Sequence, residues 1–186
     1  GVIIDSEKHH WNAYQEALKT SSCEYFKNNK LTFEKYCEIN HSTNKSFKSV
    51  FKEDYDEIYK KKKIYYDLYI NKINLIAGFE SFFNALVVKS KIICLVTDSS
   101  TETLNKIRQK FPILEKIHYI ITREDVIERK PSNEGYLKVL KKYKNIDYSE
   151  IIGFEDSYKG ITAMSSVIYN TILVNNKQYF YYNQIK

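Results

Sequence analysis

Ile92-Ile93-Cys94-Leu95-Val96-Thr97-Asp98-Ser99-Ser100 changes character halfway. Its first five residues form an unbroken apolar run. A strand buried on both faces reads this way, and such strands belong to parallel sheets. The last four residues are polar. Ser99 and Glu102 have the spacing of a capping box, so the sequence predicts a helix starting there. Leu104, Ile107 and Phe111 would form its buried face.

The same unit recurs downstream. Ile117 to Ile121 reads as a second strand. Lys130-Pro131 follows, then a helix capped by Ser132 with Tyr136, Leu137, Leu140 and Tyr143 on one side. Ile151-Ile152-Gly153-Phe154 reads as a third strand and stops at Glu155-Asp156. A helix with Ile161 and Met164 comes next, and then a last strand from Thr171 to Val174. This alternation argues for a doubly wound α/β core with a parallel sheet. The aromatic tail Tyr179 to Tyr182 is expected to pack on that core.

Upstream the pattern is helical. Trp11, Tyr14, Ala17 and Leu18 share one helical face. Thr32 can cap a helix carrying Phe33, Tyr36 and Cys37, and Asn44 one with Phe47, Val50 and Phe51. A longer helix is expected from Asp54 to Ile70, and Phe82, Phe83 and Leu86 suggest one more. No strand is expected between His9 and Asn74. The division that follows is an α/β core over residues 1–7 and 76–186, with an all-helical insertion over 8–75.

Composition narrows the function classes. The chain has 186 residues, 43% of them hydrophobic, which is too apolar for a disordered chain. No run approaches the length of a membrane span. The net charge of +6 comes almost wholly from Lys, with Arg only at 108, 123 and 129. With abundant Asn, Ile and Tyr, this reflects coding bias better than a nucleic-acid partner. The three cysteines, Cys23, Cys37 and Cys94, lack metal-ligand spacing and are odd in number, so a reducing, cytoplasmic setting is expected. Cys94, inside its apolar run, reads as a small buried hydrophobe.

Ligands of open parallel sheets bind beyond the carboxyl ends of the strands. Three of the expected strands lead to polar residues there: Thr97 and Asp98, then Lys130, then Glu155 and Asp156. Adjacent carboxylates at a strand end are costly unless a cation neutralises them, and hard oxygens suit Mg²⁺. A hydroxyl with helix-N-terminal amides and a Lys suits a phosphate. Singly, these are a helix cap, a solvated loop and a helix start. Their order and shared placement point to phosphoryl chemistry.

Four segments carry a resemblance. They are Gly1-Val2-Ile3-Ile4-Asp5-Ser6-Glu7, Val96-Thr97-Asp98-Ser99-Ser100, Lys130-Pro131-Ser132, and the most specific, Gly153-Phe154-Glu155-Asp156-Ser157-Tyr158-Lys159-Gly160-Ile161. The chain resembles the haloacid dehalogenase superfamily, and within it the β-phosphoglucomutase-like phosphatases and mutases with a helical cap. The resemblance spans the whole chain and puts the helical insertion in the cap position.

It implies catalytic roles for Thr97 and Lys130, with Thr97, Asp98 and Lys130 binding the phosphate. Glu155 and Asp156 would hold Mg²⁺, directly or through water. The nucleophile and the acid/base would be two aspartates in an Asp-x-Asp motif immediately before Gly1. Their strand would be the central one of the sheet. The chain begins at that glycine without an initiator Met, which predicts roughly ten further residues upstream; an Asp98 carboxylate beside a phosphate is a departure, since Asn or Ser is frequent there. In the cap, His10, His41 and Lys45 are candidates for substrate contact, and one lysine of Lys60 to Lys63 for a substrate phosphate.

The expected activity is Mg²⁺-dependent hydrolysis of a small phosphorylated metabolite, a sugar or polyol phosphate, by a monomer without nucleic-acid or membrane partners. A sugar-phosphate mutase is the nearest alternative. Dehalogenation would leave Glu155 and Asp156 unexplained, because it needs no metal. A catalytically dead phosphate-binding module is expected if the chain truly starts at Gly1. A Lys-rich polyanion binder is a further reading, marked by salt-sensitive affinity.

Overall fold

The computed structural model describes residues 1–23, 30–42 and 44–174. It divides into two compact units, one of residues 1–3 and 75–174, the other of residues 4–74.

The second unit is helical apart from the short stretches Ile4–Asp5 and Asn74. Strand β1 (Ile4–Asp5) leads into α1 (Glu7–Lys19), α2 (Phe33–His41), α3 (Phe47–Phe51) and α4 (Tyr55–Tyr69), and β2 (Asn74–Leu75) pairs with β1. Ala13, Tyr14 and Ala17 of α1 are buried. Around Tyr14 and Ala17 gather Tyr36, Cys37 and Ile39 of α2, Phe51 of α3 and Ile58 of α4. Trp11 stands at the edge of this core, and its indole N–H donates to the Leu31 carbonyl at 2.8 Å. A buried indole needs such a partner. β2 was not expected, since two residues are too few to show an alternation.

The first unit is the α/β core. After α5 (Phe79–Val88) come β3 (Cys94–Val96), α6 (Thr101–Lys110) and β4 (Tyr119–Ile121). Then follow α7 (Glu134–Lys142), β5 (Ile152–Glu155), α8 (Tyr158–Ser165) and β6 (Asn170–Leu173). β3 and β4 are parallel, with Val96 opposite Ile121, and β5 and β6 are parallel, with Glu155 opposite Leu173. Parallel neighbours need crossover helices, which is why strand and helix alternate in the sequence. α7 packs on β3 and β4, and α8 on β5 and β6. Tyr136, Ala163, Met164 and Ile168 form a buried cluster that Val96 and Ile161 complete. Met164 is 1% exposed; truncating such a side chain to Ala costs about 2–5 kcal/mol.

Three caps lie elsewhere than expected. The cap of α6 is Ser100, whose hydroxyl accepts the Thr103 N–H. Ser99 is held in the preceding loop, donating its N–H to Thr97 Oγ1 and accepting from the Arg123 N–H at the carbonyl. Glu102 pairs instead with Lys106 at 2.8 Å. The cap of α3 is Ser46 in a reciprocal box with Ser49, while Asn44 donates its N–H to Ser42 Oγ. α7 starts after Asn133, and Ser132 Oγ accepts the Glu134 N–H. Cys94 is half-buried rather than buried, and no disulfide joins Cys23, Cys37 and Cys94. The tail Tyr179 to Tyr182 lies outside the described residues. Among those residues no helix is long and apolar enough to cross a membrane.

Candidate active site

Thr97 stands at the carboxyl end of β3. Its N–H donates to the Ile121 carbonyl at 2.9 Å, extending the β3–β4 ladder by one rung. Its Oγ1 accepts the Ser99 N–H at 3.1 Å, which leaves the hydroxyl hydrogen to donate.

Lys130 joins the two strand pairs. Its ammonium donates to the Val96 carbonyl at 3.1 Å, at the end of β3, and ion-pairs with Glu155 Oε1, at the end of β5. Both side chains are nearly enclosed, at 11% and 7% exposed. Enclosed charges are tolerable only when paired and hydrogen-bonded, and Glu155 meets this condition. Tyr136 donates its hydroxyl to the same Oε1 at 2.6 Å. The Asp156 N–H reaches Oε2 at 3.3 Å, and the Ser157 hydroxyl lies 3.5 Å from it. Burial, and then the Glu155 charge, push the Tyr136 hydroxyl far above its ordinary range, so it stays protonated.

Asp156 is more open, with its side chain 23% exposed. The Gly1 nitrogen lies 2.9 Å from its Oδ2, so the first residue of the chain lies at the same rim. Asp98 faces Lys159, with 3.4 Å between Oδ2 and Nζ, and its carbonyl accepts from Arg123 Nε at 3.1 Å. Thr97, Asp98, Lys130 and Ser132 line one small recess. A larger hollow of about 560 Å³, lined by Leu137, Tyr148, Val167 and Tyr169, lies away from these residues and holds no comparable set of charged groups.

The loop leading to Lys130 is fastened from α7. Glu134 accepts the Ile127 N–H at 3.0 Å and the Glu128 N–H at 2.9 Å, and pairs with Lys138 at 2.9 Å. These bonds, the Glu128 N–H first and Lys138 next, hold its carboxyl at about 2.

Of the residues singled out from sequence, the structure therefore links Lys130 directly to Glu155 and groups Thr97, Asp98 and Lys130 around one recess. His10, His41 and Lys45 belong to the helical unit. His10 stacks on Tyr66, with centroids 3.9 Å apart, and its Nδ1 lies 2.8 Å from Lys62 Nζ. His41 pairs with Glu7, and Lys45 with Glu38. Tyr136 and Lys159 were not singled out. Tyr136 reads from sequence as a core face of α7, and Lys159 stands within the Gly153 to Ile161 segment with no role of its own; their polar partners, Glu155 and Asp98, are remote in the chain. Among the described residues no group of three or more His, Cys, Asp or Glu is arranged to hold a metal.

The fold and rim define an α/β core with a helical insertion between its first residues and the rest. The model of the haloacid dehalogenase-like hydrolases matches residues 1–174, and the chain belongs to that family. No curated protein matches it. Among solved structures it is similar to a HAD hydrolase, family IA, variant 3, from Entamoeba histolytica HM-1:IMSS, at 26% identity and a TM-score of 0.70, covering 100% of this chain and 86% of that one. CbbY from Rhodobacter sphaeroides, in complex with phosphate, shares 17% identity over 96% of this chain and 85% of that one, with a TM-score of 0.76. A hydrolase from Pseudomonas syringae shares 20% over 89% and 76%, with a TM-score of 0.69. The fold expected from sequence is thus the one observed: a parallel-stranded α/β core with a helical insertion.

Proposed function

We propose that this chain forms a Mg²⁺-dependent phosphohydrolase acting on a small phosphorylated metabolite of the sugar- or polyol-phosphate class. The observation that carries the reading is Lys130. Its ammonium is held by Glu155 and the Val96 carbonyl in the recess that Thr97 lines. An enclosed cation beside a donor hydroxyl is what a transferring phosphoryl group requires. The phosphate bound by CbbY fits this reading.

Thr97 would donate its hydroxyl to a phosphoryl oxygen, and Lys130 would offset charge that builds on the others. Asp156 would be the more accessible metal carboxylate, because Glu155 Oε1 already receives Lys130 and Tyr136. Two carboxylates suffice for Mg²⁺, which usually completes its shell with water and substrate phosphate. When bound, Mg²⁺ supplies charge neutralisation at the phosphoryl oxygens. The nucleophile would come from an aspartate just before Gly1. Its carboxylate oxygen would bond to phosphorus as the bond to the alcohol oxygen breaks, and the alcohol would take a proton from the second aspartate; that aspartate, now a base, would take a proton from water, whose attack releases inorganic phosphate and restores the carboxylate. Three cysteines without a disulfide among them fit a cytoplasmic setting.

The test is hydrolysis of an aryl phosphate by the protein expressed with the residues preceding Gly1. Turnover should need Mg²⁺ and vanish on chelation; Mg²⁺-independent turnover would refute the proposal. Accumulation of a bisphosphorylated product from a sugar monophosphate would mark a mutase instead.

A further inference from the structure

A carboxylate directly after the phosphate-binding Thr97 should repel a phosphate. Asp98 is such a group, and its side chain is 29% exposed, so its charge is not buried out of play. Two contacts bear on this. Arg123 Nε holds the Asp98 carbonyl at 3.1 Å and the Arg123 N–H holds the Ser99 carbonyl at 3.1 Å, fixing the loop beside Thr97. Lys159 Nζ then lies 3.4 Å from Asp98 Oδ2, reaching across from α8. The start of α8 is itself fixed, because Ser157 accepts the Gly160 N–H at 3.1 Å. An ion pair this open contributes little to folding.

We infer that Lys159 is a positioning residue for the phosphate site: it draws the Asp98 carboxylate aside and neutralises it, so that Thr97 and Lys130 face an incoming phosphate without a competing anion. The inference rests on the phosphate-site reading above and adds a residue that acts through Asp98. The pair works as a unit, so the cost of losing Lys159 should depend on whether Asp98 carries a charge.

The test is calorimetric binding of inorganic phosphate, with Mg²⁺, to wild-type protein and to Lys159→Ala, Asp98→Asn, the double variant and Lys130→Ala. Lys159→Ala, Asp98→Asn and the double variant are checked for an unchanged melting curve, and Lys130→Ala, which unpairs the buried Glu155, is assayed below its own lowered melting midpoint. Lys159→Ala should weaken binding about tenfold, the scale of one uncompensated charge near a partly solvated site. Asp98→Asn alone should tighten it. The double variant should return to within about twofold of wild type, as coupled neighbours require. Equal weakening by Lys159→Ala in both backgrounds would overturn the inference, making Lys159 a direct phosphate cation. Unchanged affinity in both single variants, with Lys130→Ala still weakened, would overturn it while sparing the site. Unchanged affinity in Lys130→Ala as well would remove the site reading.

Discussion

Glu155 is the residue on which most of the rim depends. It is 5% exposed and receives Lys130, Tyr136 and the Asp156 N–H. Tyr136→Phe removes one donor from a buried carboxylate, and should lower stability by about 1.5–3 kcal/mol in denaturant titration. Asp156 is a different case. It is more open, so Asp156→Ala should abolish most Mg²⁺-dependent turnover while the circular dichroism spectrum and melting midpoint stay put. Unchanged turnover would rule out its metal role. The position of Glu155-Asp156 was legible in the sequence because an apolar run stops there, at the end of β5; that Lys130, nine residues beyond β4, reaches Glu155 was not legible from the chain order. The hydroxyl of Tyr136 was not legible either, because a tyrosine on an apolar helical face looks like packing until its partner, nineteen residues on, is known.

At the level of elements, α7 shows how a helix start can organise the loop before it. Glu134 takes N–H groups from Ile127 and Glu128, and its carboxyl is lowered from an ordinary 4.5 to about 2. A carboxyl lowered on folding contributes stability above its unfolded value, and that contribution is lost as pH falls through the folded value. Acid unfolding should therefore steepen between about 4.5 and about 2, and Glu134→Gln should flatten the curve in that window. The apolar runs marked β3 and β5 as strands, but the two-sided burial expected of them is incomplete: β3 is half-buried throughout, and Ile92 and Ile152 are exposed. The caps were misplaced because side-chain spacing alone does not reveal a loop whose carbonyl is already engaged, as the Ser99 carbonyl is by the Arg123 N–H. Short β2 carried no pattern to read.

At the scale of the whole molecule, the helical unit has a hydrophobic cluster around Tyr14 and Ile58, and the α/β core has one around Met164. A ligand that binds only the folded core should stabilise that core. Inorganic phosphate with Mg²⁺, at about a hundred times its dissociation constant, should add about 2.7 kcal/mol, seen as a higher melting transition. The Cys37 thiol, pushed up to about 12 mainly by burial and next by Glu7, should resist alkylation until the helical unit opens. One small residue sets a bound on how this chain can vary over generations. A Cβ on Gly160 would run into the Glu155 carboxylate, which is pinned by Lys130 and Tyr136 and has nowhere to retreat. A single-codon change there would dislodge the rim's anchor from outside, so a saturation library selected for function should show that position almost invariant even though the residue has no side chain of its own.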